Sequence, residues 1–526
     1  MERPVSVRNI LFIMADQLRA DYLSCYGHPH LHTPAIDALA AQGVRFSRAF
    51  VQAPVCGPSR MSFYTGRYMS SHGSTWNGVP LRVGEMTMGD HLRPLGARVA
   101  LVGKTHMTAD MAGFKRLGVD PGSYEGVLAS ECGFEPYERD DGLWADQPSS
   151  TDLAYNRYLR AHGYVGDNPW HTVANAGGTQ EEILSGWLMR NAGEPARVRE
   201  EHSETAYMTN RAIQFMTEAK DTPWCLHLSY IKPHWPYIAP APYHAMYGAQ
   251  HVIPANRDEK ERLDPHPVTG AFMRHEEGLN FSRDEVREKV IPAYMGLIRQ
   301  LDDHLGRMFA WMKSQGLFEN TLIVMTSDHG DYLGDHWLGE KELFHEESVR
   351  VPLIIYNPSS DADATRGRVD DRLVEAIDLV PTFVEAMGGR SVPHILEGRS
   401  LMAATTATGD APWRKAVISE CDYAFREARL DLGVAPSAAR GYMVRTDRWK
   451  YIHYEGFRPQ LFDLESDPKE MVDLGAAPEM EAVRREMQDL LTDWALHRRM
   501  RVTLSDEDVA RRTGTHKTRG MPFGVW

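Results

Sequence analysis

Short apolar runs recur along the chain and alternate with segments of helical period. Asn9–Met14, Arg98–Val102, Trp224–Tyr230, Thr321–Thr326 and Val351–Tyr356 read as strands, and Pro34–Gln42 as a helix. The longest helical signal, Arg283–Ser314, puts Leu297, Ile298, Leu301, Leu305 and Phe309 on one face. Strands apolar along their whole length and separated by helices predict an α/β fold, a mostly parallel sheet flanked by helices on both faces. After Met402 the texture changes. Residues 403–410 read as a linker. Ala416–Glu420, Gly441–Thr446 and Trp449–Tyr454, the last two joined by a tight turn at Asp447-Arg448, predict a small antiparallel sheet, with a helix to follow over Ala482–Leu496. Residues 115–200 and 240–285 have weak period and much Gly, Pro, Asp and Glu, and are expected as long loops. The expected division is an α/β domain over 1–404, a smaller C-terminal α+β part over 411–497, and an arm over 498–526.

Composition narrows the classes. The chain has 526 residues, 42% apolar and 25% charged, with a net charge of −14, which argues against a nucleic-acid-binding surface. An anionic substrate would need a local positive site. Cys25, Cys56, Cys132, Cys225 and Cys421 are odd in number and scattered, unlike a disulfide framework. No apolar run reaches the ~18 residues of a membrane span, and Met1–Arg8 has no leader pattern. A cytoplasmic protein with no membrane partner is expected. The end of the chain, Met521 to Trp526, is apolar, and Phe523 and Trp526 are expected to pack in an assembly arm.

Candidate chemistry clusters just after the strands. Asp16-Gln17 follows the first, and Asp328-His329 follows Thr321–Thr326. Carboxyl ends of parallel strands are where open α/β sheets bind ligands, and two such dyads can converge on one divalent cation. The bland alternative is that each Asp caps the next helix. Gly103-Lys104-Thr105-His106 follows Arg98–Val102, and Lys232-Pro233-His234-Trp235-Pro236 follows Trp224–Tyr230. Alone, a Lys-x-His, a histidine between prolines or the lysine of Gly339-Glu340-Lys341 is a weak signal. The strongest is Cys56-Gly57-Pro58-Ser59-Arg60 with Thr65-Gly66-Arg67. It sets one cysteine in a Pro/Gly/Arg frame with no second cysteine at zinc or redox spacing.

The frame C-x-P-S-R-x-x-x-x-T-G-R resembles the activation signature of the formylglycine-dependent sulfatases, in the alkaline-phosphatase superfamily. The resemblance runs from Asn9 to about Asp473 and implies an alkaline-phosphatase-like fold. It implies that a formylglycine-generating maturation enzyme oxidises Cys56 to an aldehyde whose hydrate is the nucleophile. One hydroxyl attacks, and the other releases sulfate by collapse to the aldehyde. It further implies one divalent metal ion on Asp16, Gln17, Asp328, His329 and residue 56. Gln17 and His329 depart from the Asp-Asp and Asp-Asn of many sulfatases, so calcium or manganese is expected. Arg60 is expected at the nucleophile, Lys104 and Lys341 at the anion, His106 at the second hydroxyl and His234 at the leaving oxygen. Asn77 is a further expected contact to the oxyanion. The text is most like a cytoplasmic arylsulfatase and phosphonate monoester hydrolase branch, through Asp-Gln, Asp-His and Ala241-Pro242-Tyr243-His244. Lys104 and His106 return to the sulfatase pattern, since the phosphonate hydrolases have Tyr and Thr there. The expected activity is hydrolysis of sulfate monoesters, aryl sulfates foremost. The alternative is a phosphonate monoester hydrolase and phosphodiesterase with promiscuous sulfatase activity. The substrate in either case is a small-molecule ester, and the branch implies a homo-tetramer or, next, a dimer.

Overall fold

The computed structural model of the protein describes residues 7–142, 152–406, 412–499 and 501–515. Its centre is a nine-stranded sheet. Four consecutive strands lie side by side in the order Thr321–Ser327, Asn9–Ala15, Trp224–Tyr230, Arg98–Gly103, all parallel. Each alternates its apolar side chains between two cores, which is why the runs read as continuous. Ile10, Phe12 and Met14 join Val99, Leu101, Leu322 and Val324 on one face. Leu11, Ile13 and Ala15 join Ala100, Val102, Ile323 and Met325 on the other. The first face is covered by the helices Cys56–Thr65 and Leu379–Ala386. The second is covered by Pro34–Gln42, Glu204–Glu218 and the long helix Asp284–Ser314.

The expected α/β architecture, a mostly parallel sheet flanked by helices on both faces, is therefore what forms. Arg350–Tyr356 is the strand that runs antiparallel to both its neighbours, Thr321–Ser327 and Val44–Phe50. Val44–Phe50 escapes a reading by apolar runs because Arg45, Ser47 and Arg48 interrupt it and sit half-exposed.

The stretches expected as loops need correction. Within 115–200 lie the helices Tyr124–Ser130 and Ala154–Ala161, and the strand Glu135–Arg139, which pairs in parallel with Arg98–Gly103 at the sheet edge. An edge strand reading Glu-Pro-Tyr-Glu-Arg buries too little to show a pattern. Within 240–285 lie the helices Pro267–Met273 and Glu276–Phe281. The first residues of the expected linker belong to the helix Met402–Thr406, and 407–410 fall outside the described residues.

The C-terminal sheet is antiparallel, in the order Val417–Asp422, Arg440–Arg445, Trp449–Tyr454, Gln460–Asp463. The turn at Asp447-Arg448 closes its central hairpin with Arg445 opposite Lys450. One face packs under Glu481–Leu496 through Ile418, Val444, Tyr451, Leu461 and Met487. The other joins the large core through Val417, Met443, Ile452 and Phe462. Beyond it, Asp506–Arg512 is a short exposed helix. Phe523 and Trp526 of the expected arm lie outside the described residues. Among the described residues no helix is long and apolar enough to cross a membrane.

Where the two sheets meet, His336 is buried with Nδ1 2.7 Å from Glu261 Oε1 and Nε2 3.6 Å from Glu347 Oε2, its ring stacked on His345 at 4.0 Å. Burial disfavours its charge, but the hydrogen bond to Glu261 and the nearby Glu347 carboxylate raise it from 6.5 to about 10. A histidine raised in the folded state contributes stability that is full below its unfolded value and is lost as pH rises through the folded one. The urea midpoint should therefore fall between about pH 6.5 and about pH 10, and His336→Gln should flatten that part of the profile. An unchanged slope in the variant would remove His336 as its source.

Candidate active site

The helix Cys56–Thr65 begins at Cys56, and every residue in it is buried. Pro58 sits in its first turn, where a missing N–H costs nothing. Val55 at the N-cap supplies no side-chain cap. Asn77, from a separate loop, does so instead: its Oδ1 accepts from the Gly57 N–H at 2.7 Å. A Cβ at Gly57 would stand 2.8 Å from that oxygen. Asn77 is thus beside residue 56, but in the free protein it serves the backbone.

Cys56, Asp16, Asp328 and His329 form one buried group whose ligand atoms lie within 4.8 Å of one another. Cys56 Sγ is 3.0 Å from His329 Nε2 and 3.8 Å from Asp16 Oδ1. His329 Nδ1 lies 2.8 Å from the Gly330 carbonyl, to which it donates, leaving the Nε2 lone pair turned into the group. Two carboxylates and an imidazole nitrogen make a donor set that fits a divalent cation. Arg60, four residues after Cys56 on the same helix face, bridges the acids. Its Nε donates to Asp328 Oδ2 at 2.8 Å and its Nη2 to Asp16 Oδ2 at 3.2 Å. The structure gives it no bond to Cys56; its Nη1 donates to the Lys104 carbonyl and Ser229 Oγ.

Lys104 Nζ is 2.5 Å from Asp16 Oδ2. Burial alone would push Asp16 up, but the charges of Lys104 and Arg60 hold it well below the usual carboxylate range. The lysine reaches that position because Gly103, at φ 111°, ends its strand against Ser229, where a Cβ would come within 1.8 Å of the Ser229 carbonyl oxygen.

Gln17 takes up a left-handed backbone, φ 63°. Its Nε2 donates to Asp331 Oδ2 at 2.5 Å and Tyr237 Oη at 3.2 Å. This turns its Oε1 toward Lys341, whose Nζ donates to it at 2.9 Å. Lys341 Nζ also lies 3.3 Å from His234 Nε2, while His234 Nδ1 donates to the Trp235 carbonyl at 2.6 Å. Burial, together with Lys341 and Lys104, keeps His234 neutral, well below its ordinary value. His106 stands apart. At φ 55° it leaves the extended line of Lys104, and its Nδ1 is buried without a hydrogen-bond partner.

Three contributors were not foreseen. Asp331 and Tyr237 orient the Gln17 amide, and Asp331 stood in plain view three residues after Asp328. Asp141 Oδ1 accepts from the N–H groups of both Thr105 and His106, at 2.8 and 3.0 Å. It follows the unread edge strand, so a strand assignment there would have placed it at the same rim.

Residues 8–389 match the family model described as Sulfatase, and residues 334–497 that of N-sulphoglucosamine sulphohydrolase, C-terminal. The chain belongs to the sulfatase family. This sulfatase-family protein, of the alkaline-phosphatase superfamily, is 29% identical over 528 residues to the multifunctional alkaline phosphatase superfamily protein PehA of Trinickia caryophylli, across 93% of this chain and 95% of that protein. It is 27% identical to an arylsulfatase of Clostridium perfringens, across 89% and 90%. The phosphonate monoester hydrolase SpPMH from Silicibacter pomeroyi superposes with a TM-score of 0.81 at 28% identity, covering 94% of this chain and 96% of that one. The enzyme of the same description from Agrobacterium radiobacter gives 0.79, also at 28% identity, across 93% and 95%. The family implies a metal and a formylglycine, and the buried Asp16, Cys56, Asp328 and His329 group is consistent with both.

Asp328→Asn is expected to lose bound metal and turnover together. It also leaves the Arg60 charge under-compensated in the interior, with a stability loss of about 3 kcal/mol. Elemental analysis of the purified variant beside urea denaturation checks both, and an active, metal-free variant would overturn the assignment.

Proposed function

We propose that this sulfatase-family hydrolase cleaves phosphonate monoesters and phosphodiesters, and turns over sulfate monoesters in the same site. This reverses the order expected from sequence. What carries it is the end-to-end likeness to a multifunctional superfamily protein and to two phosphonate monoester hydrolases. The site chemistry agrees. All three ester classes bear one negative charge on a tetrahedral centre, and a site that stabilises one such oxyanion stabilises the others. The Lys104–Asp16 pair favours a second reading, in which sulfate monoesters are the main substrates, because a lysine there follows the sulfatase pattern.

Asp16, Gln17, Asp328 and His329 would hold the metal, manganese or calcium, which when bound would supply a Lewis acid for a substrate oxygen and the attacking hydroxyl. Residue 56, as the formylglycine hydrate, supplies that hydroxyl and a second one for release of the acid. Arg60 fixes the two carboxylates. Lys104 and Lys341 bring positive charge to the nonbridging oxygens. Lys341 Nζ and His234 Nε2 hold between them the proton that reaches the leaving oxygen. The unpartnered Nδ1 of His106 is free to take the proton of the second hydroxyl. Asn77 can turn its amide N–H groups to the oxyanion while its oxygen caps the helix.

Matched aryl methylphosphonates and aryl sulfates test the proposal. The expected outcome is a higher kcat/KM on the phosphonate, with both activities lost in Cys56→Ala and retained in Cys132→Ala. Peptide mass spectrometry should show an aldehyde in place of the Cys56 thiol. Full activity from the unmodified thiol would overturn the mechanism, and a strong preference for sulfate would promote the second reading.

His234→Ala should slow esters of poor leaving groups by two orders of magnitude or so, and those of good leaving groups far less. A uniform loss across a series of substituted phenols would remove His234 from proton donation.

A further inference from the structure

Beyond His234 and Lys341 the structure opens a cavity of about 760 Å³. Its inner wall is made by their immediate chain neighbours, Trp235 after His234 and Glu340 before Lys341. The Trp235 ring stacks on the His234 ring at 4.8 Å and 26°. Trp187, from a different segment, meets Trp235 edge-on at 4.7 Å and 75°. Leu188, Met189 and Phe281 extend the apolar lining. Leu188 is 44% exposed, a large apolar side chain left at the rim. Charges of both signs, such as Glu276 and Lys289, flank the opening, so it offers no net attraction to a second anionic group.

The position relative to the reacting centre gives the cavity a direction. Arg60 and Lys104 are bonded to the acids beside residue 56, while His234 and Lys341, to which the proposal gives the leaving oxygen, come from the two segments that line the cavity through Trp235 and Glu340. Whatever the leaving oxygen carries must extend past that pair. We infer that this cavity receives the leaving-group arm of the ester and selects an extended, uncharged aromatic alcohol over a short one. The inference rests on the hydrolase reading above. Its size lies within the ~300–1,000 Å³ of small-molecule sites. Two indole rings set at right angles offer both a face and an edge to an aromatic guest.

The test uses the full-length, formylglycine-bearing protein with phenyl and 4-biphenylyl esters of methylphosphonic acid, and the same pair of sulfates. The two phenols are nearly equal in acidity, so the pair differs in reach and not in leaving ability. The protein is expected to prefer the biphenylyl ester by on the order of tenfold in kcat/KM, in both series and chiefly through KM. Trp187→Ala should bring the biphenylyl-to-phenyl ratio close to one. Leu188→Asp, at an exposed position that folding tolerates, should lower the ratio as well. Good turnover with a ratio near one in the unaltered protein, or a ratio that survives both variants, would overturn the cavity assignment alone. No turnover of any of the four esters would overturn the hydrolase reading and this assignment with it.

Discussion

Arg60 is a guanidinium with no exposed surface, held between two carboxylates that have none either. Its bonds reach one residue from each of four parallel strands: Asp328 after Thr321–Ser327, Asp16 after Asn9–Ala15, Ser229 within Trp224–Tyr230, and Lys104 after Arg98–Gly103. These four strands are consecutive neighbours in the sheet. One side chain therefore ties their carboxyl ends together. An isolated charge in this place would cost several kcal/mol, and only the complete set of partners offsets that cost. The arrangement is accordingly intolerant: the strand ends must be in register, or the arginine is left buried without its partners.

The position of Cys56 follows from this tie. Cys56 and Arg60 are four residues apart on one helix, so they project on the same face. Seating the guanidinium among the strand ends lowers Cys56 onto Asp16 and His329. Ser59 Oγ donates to the Asp328 carbonyl at 2.5 Å, and Asn77 closes the helix start from outside. Charge is distributed along the same lines. Arg60 and Lys104 are committed to the two aspartates, whereas Lys341 rests on the Gln17 amide and the neutral His234 imidazole, with the Glu340 carboxylate 3.4 Å from its Nζ.

Much of this was legible in the chain, and what was missed has a common cause. Asn9–Ala15, Trp224–Tyr230 and Thr321–Ser327 are buried on both faces, so their apolar runs stand out. Asp16 and Asp328 were findable because each follows such a run. Val44–Phe50 and Glu135–Arg139 have half-exposed residues, and their polar side chains erase the signal. Asp141 was lost along with the second of these. Asp331 and Tyr237 escaped for a different reason. They act on Gln17 from distant parts of the chain, and no spacing rule connects positions 17, 237 and 331. The resemblance named Arg60 as a partner of the nucleophile, but geometry makes it first a partner of the buried acids Asp16 and Asp328.

The C-terminal sheet bears on the chemistry through the segment that carries Lys341. Leu333, His336, Trp337, Glu340 and Glu342 all adopt positive φ, a conformation that side chains other than glycine disfavour. Five such residues within one short stretch would not hold that shape unaided, since each costs of order 1–3 kcal/mol. Arg287 Nε donates to the Leu333 carbonyl at 3.0 Å, the His336 N–H to the Asn256 carbonyl at 2.8 Å and Trp337 Nε1 to the Asp258 carbonyl at 2.9 Å, and the C-terminal part holds the end of the stretch. Cys421 Sγ donates to the Glu342 carbonyl at 3.0 Å, Lys450 Nζ to the Phe344 carbonyl at 2.9 Å, and Glu470 accepts from the Glu346 N–H at 2.7 Å. Arg426 pairs with the Glu342 carboxylate at 3.1 Å. From the other side, the Pro54 carbonyl, two residues before Cys56, accepts from the Glu342 N–H at 3.0 Å. Lys341 is therefore clamped between the loop that leads into Cys56 and a sheet more than seventy residues further along the chain. The smaller sheet belongs to the architecture of the site as much as the large one does.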